Sequence, residues 1–148
     1  RIISENRRSQ YSLAKIVFAK IAHRIEAAFD SEGVFASVNT NFVFVDGSAG
    51  YFLLGVLNSR LMTWVYEQYF GALRMSGGYL QFQAPQIKVL PAMQYDPSNA
   101  AMAAIAALAE RCASETSEIS ALQDSIDAKV FELFGLTSEE IQLVEAGA

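Results

Sequence analysis

Hydrophobic positions change their spacing along the chain, and each spacing predicts a different kind of element. From Lys15 the segments KIVFAKIA, RIEAAFD and SVNTNFVFVD are dense in Val, Ile and Phe. They are separated by the turn-prone DSEG and closed by DGSAG, which predicts strands of a small sheet. In YFLLGVLNSRLMTWVYEQYFG, Leu53, Leu57, Leu61, Trp64 and Val65 recur at helical spacing and Gly71 stands at a natural C-terminus. One helix packed on the sheet is expected there. Past the Gly77-Gly78 break, YLQFQ and IKVLP read as short extended pieces punctuated by Pro85 and Pro91. Residues 1–13 show no clear period and suit an entry loop or a strand.

The last third has a different rhythm. From Asp96, a capping residue with Pro97 at the first helical position, Ile105, Leu108, Cys112, Ile119, Leu122 and Ile126 follow in alternating steps of three and four. Glu115 stands where an apolar residue is due. The spacing predicts one long helix with a narrow apolar stripe that wants a partner helix from elsewhere in a larger protein or from another subunit. VFELFG ends on Gly135 as C-cap, and LTSEEIQLVE opens a short helix with Thr137 as N-cap and Glu140 at capping-box spacing. The expected fold class is α/β (α+β): a small mixed sheet with a packed helix, then a long C-terminal helix and a short terminal one. The expected organisation is a globular domain over residues 1–95 and a helical tail over residues 96–148 packing on a partner helix.

Composition narrows the chemistry. The chain has 148 residues, 52% of them hydrophobic, enough for one compact domain with a core. Net charge is -5, but basic residues outnumber acidic ones over residues 1–95, whereas Arg111 and Lys129 are the only cations after them. A polyanion can therefore face the first part despite the overall sign. A single cysteine, Cys112, and a single histidine, His23, give neither a disulfide nor a Cys/His metal set. A cytoplasmic, reduced compartment fits, and no apolar run reaches the ~18 residues of a membrane span, so no membrane partner is expected. The start at Arg1 reads as part of a longer protein.

Catalytic groups are not indicated. His23 has no Ser or Cys context for a triad, the carboxylates are scattered, and neither GxGxxG nor GxxxxGK[ST] occurs. No catalytic residue and no metal ligand is expected. The positive signal is one of binding: Lys15, Lys20 and Arg24 alternate with apolar positions, and Arg60, Arg74 and Lys88 punctuate the remainder of the basic part. Asn39, Asn41, Gln81 and Gln83 are able to read base edges. An ordinary solvated surface accounts for the same charges. Tyr79 and Phe82 suit a strand core as well as base stacking, and Gly77-Gly78 suits a simple turn as well as close backbone approach. His23 suits a structural or a DNA-facing place.

The order KIVFAKIA, SVNTNFVFV, YFLLGVLNSRLMTWVY, GGYLQFQAPQIKVLPAM resembles the C-terminal specificity, or target recognition, domain of Taq-type and related type IIG restriction-modification enzymes and adenine-specific DNA methyltransferases. LLGVLNSRL is its most specific piece, and IDAKVFELFGLTSEEIQLVE is similar to the closing segment of the same proteins. The resemblance covers most of the chain from Lys15 to Glu145. It implies recognition of double-stranded DNA, with methyl transfer to an adenine, with or without cleavage, carried out by an upstream methyltransferase domain of the same chain. That domain would bind S-adenosylmethionine and hold the flipped base with an NPPY-like motif, which is absent here, where the prolines stand as APQ, LPA and DPS. No cofactor is therefore expected on these residues.

In this family RMSGGYLQFQ would be a recognition loop and its return strand. The resemblance thus nominates Arg74, Ser76, Gly77, Gly78, Tyr79, Gln81 and Gln83 for DNA binding, Arg74 toward guanine or phosphate and the glutamines toward adenine, with Lys20 and Arg24 toward phosphate. Asn58 and Ser59, inside an apolar helix, are expected to satisfy backbone groups where the helix meets the sheet. Half of a type I specificity subunit, with a spacer helix, is similar as well. From a different class comes a helix-mediated protein-interaction module or homo-oligomer that uses the stripe from Ile105 to Ile126.

Overall fold

A computed structural model describes residues 9–35, 40–115 and 117–147 of the chain. β1 (Lys15–Ala19) lies between β3 (Ala27–Asp30) and β4 (Thr40–Phe44), antiparallel to both. Strand alternation sends Ile16 and Phe18 into the main core and Lys15 and Val17 to the opposite face, and all four are buried. An uninterrupted IVF run fits a strand covered on both sides. On the second face Phe42 meets Tyr11 and Phe44 edge-on, with ring centroids 5.6 and 5.3 Å apart. β2 (Ile21–Ala22) pairs with β5 (Leu80–Gln81) in a separate ribbon, also antiparallel. The α/β class with C-terminal helices holds, but every described strand pair is antiparallel, where a mixed sheet is expected from the sequence.

Lys15 does not belong to a basic surface. Its Nζ lies 2.6 Å from Asp30 Oδ2 across the β1–β3 pair and donates to the Tyr11 carbonyl at 2.7 Å. Asp30 also accepts the N–H groups of Val34 and Phe35 at 3.0 and 2.7 Å. Burial alone would raise the pKa of this carboxyl, but the bond to Lys15 and the two N–H groups outweigh it and hold the group below its ordinary value.

DGSAG is not a closing turn. Asp46 caps a helix by accepting the Gly47 N–H at 2.7 Å, and α1 runs over Gly47–Asn58. The single helix expected through LLGVLNSRL is two, because Ser59 is extended (φ -67, ψ 152) and α2 starts afresh at Arg60–Phe70. Ser59 Oγ donates to the Val56 carbonyl at 2.7 Å and accepts the Met62 N–H at 3.3 Å, closing one helix and capping the next. After a 3-10 turn over Gly71–Leu73 and β5, a short helix α3 (Ala84–Ile87) replaces the expected extended piece. Pro85 lies in its first turn and Gln86 Oε1 accepts the Gln83 N–H at 3.0 Å.

The long C-terminal helix is also two, α4 (Ala100–Ser114) and α5 (Ile119–Phe134). The break falls between Glu115, where the apolar stripe fails, and Glu118, which is left-handed at φ 64. Asn99, rather than Asp96 with Pro97, caps α4, accepting the N–H groups of Ala101 and Met102 at 3.0 and 3.1 Å. Breaking lets the two halves pack on each other and on α1, so that Met102, Ile105, Ala109, Ile126 and Val130 join the same hydrophobic cluster as the strands. The stripe finds its partner within the chain. Gly55 permits the α1–α4 approach, since a Cβ there would stand 2.8 Å from Ile105 Cγ2. α6 (Ser138–Gly147) follows the expected capping box: Glu140 Oε2 accepts the Thr137 N–H at 2.7 Å and Thr137 Oγ1 accepts the Glu140 N–H at 3.3 Å.

Arg60 is a tie between α2 and α5. Its N–H donates to Asp127 Oδ1 at 2.9 Å, and its guanidinium lies 2.5 Å from Asp124 and 3.4 Å from Asp127. Among the described residues no helix is long and apolar enough to cross a membrane, and no His, Cys, Asp and Glu cluster suits a metal ion.

Candidate nucleic-acid interface

Gly77 and Gly78 lie in a hairpin that ends in the β2–β5 ribbon. The Met75 N–H donates to the Tyr79 carbonyl at 2.8 Å and the Gly78 N–H returns to the Met75 carbonyl at 3.1 Å, so Ser76 and Gly77 form the exposed tip. The two glycines sit at φ +83 and +81, which a residue with Cβ rarely adopts. Arg74 braces the base of this loop: Nη2 is 2.6 Å from Glu67 Oε1, and Nη1 donates to the Gly78 carbonyl at 3.2 Å. Those contacts leave further donors on the guanidinium.

Beyond the tip, alternation divides the strand. Leu80 and Phe82 are buried, while Tyr79, Gln81 and Gln83 are exposed. Phe82 is thus a core residue and Tyr79 a surface one. Ile21 lies opposite Gln81 and Ala22 opposite Leu80, with the Phe82 N–H on the Lys20 carbonyl at 2.8 Å. Tyr79 stacks on His23 with ring centroids 4.0 Å apart and planes 30° apart. The outward face therefore carries Ile21, His23, Tyr79 and Gln81, with Gln83 at its end. Tyr66 fixes this ribbon from below. Its buried hydroxyl reaches both the Gln81 carbonyl and Gln86 Oε1, and burial pushes its pKa up to about 12.

The remaining nominees lie apart from that face. Lys20 is half-buried at the bend between β1 and β2. Arg24 is exposed beyond β2, 3.8 Å from Glu26, and lines a groove of about 630 Å³ with Arg60, Asp124 and Asp127. Asn41 donates from Nδ2 to the Phe82 carbonyl at 2.5 Å, tying the three-stranded sheet to the ribbon; Asn39 lies outside the described residues. Asn58 and Ser59 have the expected structural roles, Asn58 pairing with the Ala27 backbone. Sequence reasoning missed Ile21 as a face residue. The alternation of Ala19, Ile21 and His23 was its only local signal, and the pairing with Gln81 supplies the rest.

Charge around the ribbon is of one sign in sequence. Residues 16–25 and 71–95 contain Lys20, Arg24, Arg74 and Lys88 and no carboxylate. Comparison with known families matches residues 2–92 to the TaqI-like C-terminal specificity domain. No curated protein matches the chain. Because the matched stretch is more than half of the chain and contains every strand of both sheets together with the exposed ribbon, the chain belongs to the TaqI-like C-terminal specificity domain family, whose role is DNA-recognition specificity in restriction-modification enzymes.

Proposed function

We propose that this chain reads a specific double-stranded DNA sequence with the β2–β5 ribbon and so positions a target adenine for methyl transfer, with or without cleavage, by a separate domain. The observation that carries this is the outward face of the ribbon, where amide and aromatic side chains stand in one row on a backbone held by Tyr66 and Asn41. A two-stranded ribbon fits the width of a major groove, and a glutamine amide pairs bidentately with adenine N6 and N7. Arg74 at the base of the loop, with donors to spare, faces guanine or phosphate, and Gly77 and Gly78 let the tip backbone approach the duplex. Lys20, Arg24 and Lys88 contribute contacts to phosphate, which set register without reading sequence.

The methyl donor belongs to the separate domain. The groove lined by carboxylates has Asp124 and Asp127 engaged by Arg60 and carries no aromatic side chain to stack an adenine, so its residues do not fit S-adenosylmethionine. The test is binding of the full-length protein to cognate and random duplexes over a range of salt. Gln81→Ala should weaken cognate binding by about 1–3 kcal/mol and leave random-sequence binding alone, as should Arg74→Ala where Arg74 reads guanine, whereas a phosphate contact from Arg74 would weaken both alike. Arg24→Ala should weaken both alike and reduce the salt slope by about one. Cognate affinity unchanged in Gln81→Ala, Tyr79→Ala and Arg74→Ala would remove the ribbon from the interface.

A further inference from the structure

Ile21 is an aliphatic side chain turned outward among the amides and rings of the ribbon face. It is 51% exposed, although β2 could have turned any small polar residue outward at that position. Its cross-strand partner is Gln81, the side chain best suited to an adenine edge. Directly opposed residues of an antiparallel pair hold their Cβ atoms about 5 Å apart, close enough to meet one base pair or two neighbouring ones at the usual stacking distance. Both backbones are fixed, Gln81 by Tyr66 and the ladder, Ile21 by that same ladder. On a major-groove floor the apolar feature is the 5-methyl of thymine, which lies beside the adenine N6 and N7 edge of its own pair.

We infer that Ile21 and Gln81 form a single reading unit for an A·T pair or an A/T step, Gln81 taking the adenine edge and Ile21 the thymine methyl. This makes Ile21 a specificity-determining residue, and it rests on the DNA-recognition function proposed for this chain. Lys20, Arg24 and Lys88 flank the ribbon in sequence and supply attraction to phosphate from outside its outward face, while the Ile21–Gln81 pair supplies discrimination. The His23–Tyr79 stack stands next along the ribbon and limits how far the pair can slide across the groove floor.

The experiment uses the full-length protein and its recognition duplex, obtained by selection from random-sequence duplexes. Each thymine of that duplex is replaced in turn by uracil, which removes only the 5-methyl, and each adenine by 7-deazaadenine, which removes only N7. One uracil replacement should weaken binding by the native protein about fourfold, the worth of one buried methyl. Ile21→Ala should bind the thymine and uracil duplexes equally. One deaza replacement, in the same or the neighbouring pair, should weaken the native protein but not Gln81→Ala. Ile21 is exposed, so its truncation leaves the core intact. Native binding insensitive to every uracil, or a uracil effect that persists in Ile21→Ala, would overturn the inference while leaving DNA recognition standing. Failure of the native protein to select any duplex would overturn the recognition reading itself.

Discussion

Asn58 and Ala27 form a side-chain-to-backbone pair that imitates one rung of a sheet: the Ala27 N–H donates to Asn58 Oδ1 at 2.8 Å, and Asn58 Nδ2 donates to the Ala27 carbonyl at 3.0 Å. β3 is an edge strand, and this amide from the end of α1 covers the edge where another strand would lie. Asn58→Ala leaves one donor and one acceptor without their partner and should cost about 2 kcal/mol in urea unfolding. Asn58→Asp retains the acceptor and loses the donor, so it should also destabilise. A stability equal to wild type in both variants would show that the edge is adequately hydrated without the amide.

The Lys15–Asp30 pair should be far more sensitive to breaking than to replacement. Asp30→Asn leaves the buried Lys15 ammonium without its carboxylate and should cost about 3 kcal/mol, whereas Lys15→Met leaves a half-buried Asp30 that still accepts the Val34 and Phe35 N–H groups and should cost less. Lys15→Met combined with Asp30→Leu should cost clearly less than the sum of Lys15→Met and Asp30→Leu made singly, measured by a double-mutant cycle of denaturation midpoints. The pair also sets an acid limit. Asp30 has a depressed folded pKa, so the stability it contributes is present above the unfolded value and is lost as pH falls through the folded one. Strict additivity of the two changes would mean that the charges do not interact.

Asp127 should act in the opposite sense. Burial raises its pKa, only partly countered by the Arg60 N–H and guanidinium, and its Oδ2 has no hydrogen-bond partner. A carboxyl with a raised folded pKa holds its proton more tightly in the native state than in the unfolded chain. Its contribution to stability is full below the unfolded value and is lost as pH rises through the folded value. Asp127→Asn keeps an acceptor for the Arg60 N–H and cannot ionise, so it should remove that downward slope as pH rises above the ordinary aspartate range. Identical pH profiles for variant and wild type would refute the assignment.

Gly55→Ala should loosen the seat of the C-terminal helices. The new Cβ would stand 2.8 Å from Ile105 Cγ2 and 3.4 Å from Ala109 Cβ, and neither neighbour is the free end of a flexible chain. Overpacking of this kind costs about 1–3 kcal/mol. Because glycine within a helix is itself unfavourable relative to alanine, a stabilising Gly55→Ala would show that α4 can move away at no cost.

Local signals carried much of this architecture. The capping box from Thr137 to Glu140 specifies the start of α6 because both partners lie within one turn. The β-branched runs around Ile16 and Phe42 specify strands because the side-chain pattern and backbone preference agree. Ser76, Gly77 and Gly78 were legible as a tight turn because their chemistry acts on their own backbone. Both helix breaks were harder to read. Leu57 and Leu61 keep helical phase across Ser59, so periodicity runs straight through a residue whose hydroxyl ends one helix and starts another.

What the sequence determined by itself was therefore the identity of short segments and the resemblance of their order to a DNA-specificity domain. Tertiary structure alone decided that Lys15 and Arg60 bind carboxylates within the fold, and that the stripe at Ile105 and Ile126 closes on α1. It also decided that Ile21 stands opposite Gln81, which no local pattern sets. The reason is physical: a turn, a cap or a strand preference is satisfied by neighbours along the chain, whereas an ion pair, a cross-strand register and a helix crossing are fixed only when distant segments compete for the same buried space.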